Sequence, residues 1–144
     1  MKLAADTVRE EAYKLGIVPP LVIGVTVLTS ISKEVLNNEV GIAGSPQDTV
    51  VRWAKACLES GLDGVVASAL EAKAIRENMD CPVIITPGIR PAGSASGDQK
   101  RVLTPGEAIS QGATHLVVGR PITKAESPRI AAEKILQEIR EWEK

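Results

Sequence analysis

The residues best suited to chemistry lie between Thr86 and Thr123. The segment TPGIRPAGSASGDQKR (86–101) and the shorter GRPIT (119–123) each follow a β-branched apolar run, VIIT and LVVG respectively. Both therefore read as the exits of buried parallel strands, turning at once into Gly, Pro and Arg. Glycines let backbone approach a ligand closely. Arg90 and Arg120 offer planar forks of donors, and Gln99 adds an uncharged amide. That chemistry suits a phosphate, and in a barrel of parallel strands the loops after the last two strands are a common place to hold one.

Each of these residues also has a duller reading. Arg120, between Gly119 and Pro121, is poorly explained as a surface charge, whereas Arg90 can pair with Asp98 or simply be solvated. Gln99 taken alone is a loop amide; its place beside Asp98 in a long Gly/Ser loop is what singles it out. The loop over 92–100 reads as a lid, because long structureless loops in compact domains are uncommon unless functional. Thr29 and Ser30 either contribute to a site or terminate a strand. His115 reads as a strand residue with a structural partner, and Lys100 and Lys124 as solvated charges.

Composition narrows the partners. The 144 residues are 44% apolar and suffice for one core, so residues 1–144 are expected to form a single domain. Charged residues make up 24% and nearly cancel to a net charge of -1, which leaves no electrostatic footprint for nucleic acid or an anionic membrane. Tyr13, Trp53 and Trp142 are the only aromatic residues, too few for base-stacking platforms. Two cysteines, Cys57 and Cys81, and one histidine support neither a zinc site nor a disulfide framework, and a reduced cytoplasmic setting is expected. Charges at Lys2, Asp6, Arg9, Glu10 and Glu11 interrupt any apolar leader, and no apolar run reaches membrane-spanning length.

The elements that must position these loops alternate along the chain. Leu3, Ala4, Val8, Ala12 and Leu15 form the stripe of an amphipathic helix over 3–15, ended by Gly16. The apolar run 21–28 predicts a strand buried on both faces. Residues 31–44 read as mostly loop, with a short helical turn near 33–37. Ser45-Pro46-Gln47-Asp48 starts a helix that carries Val50, Val51, Ala54, Cys57 and Leu58 inward and stops at Gly61. A strand over 63–68 follows, then a helix to Asn78 opened by a Ser68–Glu71 capping box, then a strand over 82–86. Thr104 to Gly112 is a helix and 115–119 a strand. A last helix after Ser127-Pro128 buries Ile130, Ala131, Ile135, Leu136, Ile139 and Trp142. SGLDGVVAS (60–68) and QGATHLVVG (111–119) echo one another as two copies of one strand-helix design.

Strand and helix in alternation imply a parallel sheet with right-handed crossovers. Four strands make half of an eight-stranded (β/α)8 TIM barrel. The first and last strands would then present unpaired edges, and an apolar inner face would meet water. The expectation is a chain that pairs with another copy as a homo-oligomer or with a complementary N-terminal half; a small open sheet is the bland alternative.

The segments VTVLTS (25–30), SGLDGVVASALEA (60–72), TPGIRPAGSASGDQKR (86–101), TPGEAISQGA (104–113) and VVGRPIT (117–123) resemble the second half of orotidine 5'-phosphate decarboxylase of the bacterial kind. The resemblance covers essentially the whole chain, beginning in what would be the fourth helix. It is most specific in PGIRP, in GDQ ending nine residues after the Arg, and in GRP about twenty further on. It implies that Arg90, Gln99, Gly119 and Arg120 bind the substrate phosphate of orotidine or uridine 5'-phosphate, with Thr29 beside the base or ribose. Pro87 and the backbone near Ser30 would line the pyrimidine pocket. The family carries out decarboxylation without metal or organic cofactor, through a Lys between aspartates in D-x-K-x-x-D. The Lys protonates C6 as carbon dioxide leaves. No complete D-x-K-x-x-D occurs in this chain, so no catalytic residue is assigned. The chain resembles the gripping half of such an enzyme without its reacting half. A noncatalytic phosphate- or nucleotide-binding half-barrel is the alternative, and a different phosphate-binding barrel enzyme such as a sugar-phosphate lyase ranks behind both.

Overall fold

The computed structural model describes residues 1–91 and 103–142. Four strands, β1 (Ile23–Val25), β2 (Gly64–Val66), β3 (Val83–Thr86) and β4 (His115–Leu116), form one sheet in the order β1-β2-β3-β4. All neighbours are parallel, with Ile23 opposite Gly64, Val65 opposite Ile84, and Ile85 opposite His115. Helices α1 (Lys2–Leu15), α3 (Pro46–Glu59), α4 (Ala69–Asn78), α5 (Pro105–Ser110) and α7 (Pro128–Trp142) accompany the strands. Two short helices, α2 (Lys33–Asn38) and α6 (Arg120–Thr123), lie in the segments that leave β1 and β4. This is four strand-helix units in sequence, half of a TIM barrel.

The period-two alternation of the strands separates two faces. Val65 and Ile84 are fully buried among Ala54, Cys57 and Ile75 of the helices. Residues of the other parity, Val25, Val66, Ile85 and His115, share the opposite face, where Val25 is 62% exposed. A second cluster around Ile89, Ala69, Ala108 and Ala113 fastens the β3 exit to α4 and α5. At Gly64 the sheet leaves no room for a side chain, since a Cβ there would lie 2.2 Å from the Val83 carbonyl oxygen.

Two side chains brace the strands from outside. The Val22 backbone N–H donates to Asp63 Oδ2 at 2.7 Å while the Asp63 N–H donates to the Val22 carbonyl at 2.9 Å, so Asp63 clasps the start of β1 from the start of β2. Thr114 repeats this one pair of strands further on: its Oγ1 accepts from the Ile84 N–H at 2.9 Å and its own N–H donates to the Ile84 carbonyl at 2.9 Å. The echo between 60–68 and 111–119 therefore corresponds to a repeated clasp. Arg76, at the end of α4, donates from Nε and Nη2 to the Gly112 carbonyl and from Nη1 to the Cys81 carbonyl, tying α4 to the segments before β3 and β4.

Several sequence expectations are corrected. The strands are shorter than the apolar runs. β1 covers 23–25 rather than 21–28, and Leu21 is 60% exposed. β2 covers 64–66 rather than 63–68 because Ser68 already caps α4. β4 stops at Leu116 rather than 119, because after Thr86 the partner strand turns away through Pro87 and Gly88, the latter at φ 81°. Ser68 accepts from the Leu70 N–H, so the Ser68–Glu71 box does not form and Glu71 is buried; the complete box is Thr104 with Glu107. The short helical turn expected near 33–37 is present as 33–38, capped by the Ser32 hydroxyl, whereas 120–123 add a helical turn where loop was expected.

Burial along the helices also departs from the stripes. In α1 it centres on Ala5 and Ala12, leaving Leu3 79% and Leu15 69% exposed, and in α3 it centres on Thr49, Val50, Ala54 and Cys57. In α7 only Ile135 is buried, while Ile130, Leu136 and Trp142 are about half exposed. The physical reason is shared. α7 packs on α5 and α6, and α1 reaches the core through Ala5 and the start of β2 through Arg9, so part of each apolar stripe faces no other described residue.

Candidate functional site

The four strands run in one direction, so their exits share one rim. At that rim a cavity of about 220 Å³ is lined by Val25, Val27, Leu28, Thr29, Ser30, Val66, Ala67 and Pro87. Thr29 and Pro87, proposed from sequence as one pocket, thus meet although 58 residues separate them. Thr29 is 6% exposed, Pro87 is half-buried and Ser30 is exposed. Thr26, just after β1, donates from Oγ1 to the Val66 carbonyl at 2.7 Å and holds the β1 exit against β2. The wall is mostly aliphatic with two hydroxyls, suited to a flat, weakly polar ring more than to a charge.

Next along the rim are the exits of β3 and β4. Gly88, in the left-handed region, turns the chain so that Ile89 drops into the second core cluster, and Arg90 follows at 9% exposure. The Arg90 N–H donates to the Leu103 carbonyl at 3.0 Å, and Nη1 donates to the Ile89 carbonyl at 2.7 Å. Gly119 caps α6, its carbonyl accepting from the N–H groups of Ile122 and Thr123, and among the described residues nothing lies within 4 Å of where its Cβ would stand. Arg120, the first residue of α6, is exposed. Pro91 and Pro121 line a single cavity of about 150 Å³ with Ala131, Lys134, Ile135 and Glu138. Arg90 and Arg120, each one residue before one of those prolines, therefore stand on adjacent exits. Gln99, Asp98, Lys100 and the expected lid over 92–100 lie outside the described residues, apart from which Lys124 caps the far end of α6.

The remaining polar groups fall into structural roles. His115 stands at the start of β4, away from the rim, with Nδ1 2.9 Å from Thr114 Oγ1. Burial pushes the thiols of Cys57 and Cys81 up, which disfavours the thiolate and any nucleophilic use. The Val22 N–H, more than the Arg9 guanidinium, holds the Asp63 carboxyl below its usual range. Glu107 is lowered by the Thr104 N–H and hydroxyl of the capping box. Among the described residues no group of three His, Cys, Asp or Glu is arranged to hold a metal. No described helix is long and apolar enough to cross a membrane.

Sequence reasoning missed Lys134 and Glu138 of α7, which border the Pro91–Pro121 cavity; Glu138 Oε1 also accepts the Gly106 N–H at 3.0 Å. Their i, i+4 spacing was visible, but it is common to any solvated helix face. Asp63 and Arg76 were equally unreadable, because their partners are backbone groups brought close by the fold.

Fold and rim together define half of a TIM barrel, and comparison with known proteins makes this specific. Residues 1–135 match the model of the orotidine 5'-phosphate decarboxylase / HUMPS family, and the chain belongs to that family. It is 54% identical over 140 residues to an orotidine 5'-phosphate decarboxylase of Moorella thermoacetica, covering 96% of this chain and 56% of the relative. The corresponding enzyme of Syntrophomonas wolfei is 48% identical over 143 residues, covering 98% of this chain and 60% of the relative. Among solved structures, orotidine 5'-phosphate decarboxylase from Lactobacillus acidophilus superposes with a TM-score of 0.70 at 41% identity, covering 86% of this chain and 51% of that one. The chain thus spans a little over half the length of the curated relatives it matches.

Proposed function

We propose that this chain is the phosphate-gripping half of an orotidine 5'-phosphate decarboxylase, acting in pyrimidine biosynthesis to form uridine 5'-phosphate and carbon dioxide. The observation that carries the reading is the adjacency of the β3 and β4 exits, with Pro91 and Pro121 in one cavity, in a chain 54% identical to a decarboxylase. In this reading Arg90 and Arg120, with Gln99 and the Gly119 backbone, take the phosphate by charge-assisted hydrogen bonds. The aliphatic cavity beside Thr29 and Pro87 takes the base. Phosphate binding energy, remote from the reacting carbon, is then spent on orienting the base for chemistry.

The chemistry needs an acid that delivers a proton to C6 and carboxylates that disfavour the substrate carboxylate. This sequence has no complete D-x-K-x-x-D, and among the described residues the rim cavity is lined without Asp, Glu or Lys. Proton transfer is therefore assigned to polypeptide outside these 144 residues, which by themselves are expected to be inactive. No cofactor enters, residues 1–144 act as one folding unit, and the setting is the cytoplasm. A second reading, a noncatalytic phosphate- or nucleotide-binding half-barrel that self-assembles, is favoured by the 62% exposure of Val25 on the face away from the helices. Two measurements on the purified chain decide. Uridine 5'-phosphate should bind, and Arg120→Ala should weaken it. Orotidine 5'-phosphate should not be decarboxylated until the catalytic segment of a relative is added. Turnover by the chain alone would overturn the division of labour, and equal affinity in the variant would remove Arg120 from the site.

A further inference from the structure

α7 meets α5 along one stripe. Ile135, Glu138 and Trp142 stand three and four residues apart and so share a face, with Ile135 buried and Glu138 half-buried. That face is set against the first turn of α5. Glu138 Oε1 accepts the Gly106 N–H at 3.0 Å, and the Trp142 indole lies so close over Gly106 that a Cβ there would stand 2.2 Å from Nε1.

The opening of α5 is otherwise served by its own residues. Thr104 Oγ1 accepts the Glu107 N–H at 3.3 Å, Glu107 Oε2 accepts the Thr104 N–H at 2.9 Å, and Pro105 has no N–H to place. The capping box leaves the Gly106 N–H over. Gly106 is buried, so that donor needs an acceptor, and Glu138 supplies one from 32 residues away.

Fixing Gly106 has a consequence at the rim. Leu103, just before the Thr104 cap, packs against the cluster that holds Ile89 and Ala108, and its carbonyl accepts the Arg90 N–H at 3.0 Å. Arg90 is therefore tied to the entry of α5, and through it to α7. Glu138 also lines the cavity of about 150 Å³ that contains Pro91, which follows Arg90, and Pro121, which follows Arg120. One carboxylate thus borders both strand exits while it holds the start of α5.

We infer that Glu138 is a positioning residue of the phosphate grip: through Gly106 and the Arg90–Leu103 hydrogen bond it sets where Arg90 stands relative to Arg120. The role rests on the phosphate reading of those two arginines. It needs an acceptor oxygen at that reach and not a charge. Without the acceptor a buried N–H is left unpaired, α5 shifts to satisfy it, and Leu103 carries Arg90 out of line.

The test is titration of the full chain with uridine 5'-phosphate, using variants whose circular dichroism spectra match wild type. Glu138→Gln keeps an acceptor oxygen at the same reach and should bind within about twofold of wild type. Glu138→Ala has no acceptor, and Glu138→Asp keeps the charge but falls one carbon short; both should bind about tenfold more weakly, as a misplaced donor fork loses its paired contact. If the Ala variant does not fold, the Asp variant carries the comparison. In an Arg90→Ala background neither change should weaken binding further, because Glu138 acts through Arg90. Wild-type affinity in Glu138→Asp, an affinity in Glu138→Gln as low as in Glu138→Asp, or full additivity with Arg90→Ala would overturn the inference and leave the phosphate reading intact. A wild-type chain that does not bind, or an indifferent Arg90→Ala, would instead overturn the reading of Arg90 as part of the grip, and this role of Glu138 with it.

Discussion

Replacing Asp63 by Asn probes the clasp that sets the register on which the rim depends. Asp63 Oδ2 accepts the Val22 N–H at 2.7 Å and Oδ1 faces Arg9 Nη2 at 2.9 Å, with side-chain exposures of 25% and 43% for Asp63 and Arg9. The amide keeps an oxygen for Val22 but loses the charge. A charge-assisted hydrogen bond contributes about 1.5–3 kcal/mol against about 0.5–1.5 for a neutral one. The half-exposed ion pair adds at most about 1 kcal/mol. The expected loss is therefore roughly 1–2 kcal/mol near neutral pH, read from urea unfolding followed by circular dichroism. The pH dependence carries the sign. Because the folded carboxyl is held below its ordinary value, its stabilisation is complete above the unfolded pKa, about 3.9, and is lost as pH falls through the lower folded value. Wild type and variant should converge in acid. A difference that is absent at neutral pH, or that persists unchanged in acid, would refute the assignment of the Val22 contact as charge-assisted.

Other substitutions separate grip from scaffold. Arg120→Ala should weaken uridine 5'-phosphate binding by about 10–100-fold without changing the unfolding midpoint, and Arg120→Lys should restore only part, since Lys lacks the planar fork; isothermal titration decides. Gly119→Ala meets none of the described residues within 4 Å and should leave stability unchanged, so any loss of nucleotide affinity would report a ligand against that backbone. Gly64→Ala, with a Cβ 2.2 Å from the Val83 carbonyl, should cost at least about 1–3 kcal/mol by overpacking, measured by the same urea titration. Cys57 and Cys81, buried with raised pKa values, should react with a thiol reagent at mildly alkaline pH far more slowly in the native chain than in denaturant.

Much of this was legible in the chain itself. Alternation of β-branched runs with Ser-Pro and Thr-Pro helix starts determined four parallel strand-helix units, because caps and periodicity are local physics. The Gly-Pro-Arg turns singled out two exits for polar chemistry, because Gly gives close backbone approach and Arg a fixed donor fork, and the fold sets those two exits side by side. Tertiary structure alone decided where strands stop, because pairing length depends on the neighbour: β4 ends where β3 turns at Pro87. It decided that Thr29 and Pro87 share one wall, and that Asp63 and Arg76 serve backbone groups distant in sequence. It also decided that α1 buries Ala5 and Ala12 and leaves Leu15 exposed. A stripe's periodicity states that a helix is amphipathic, but the width of the surface it meets is a property of the assembled sheet.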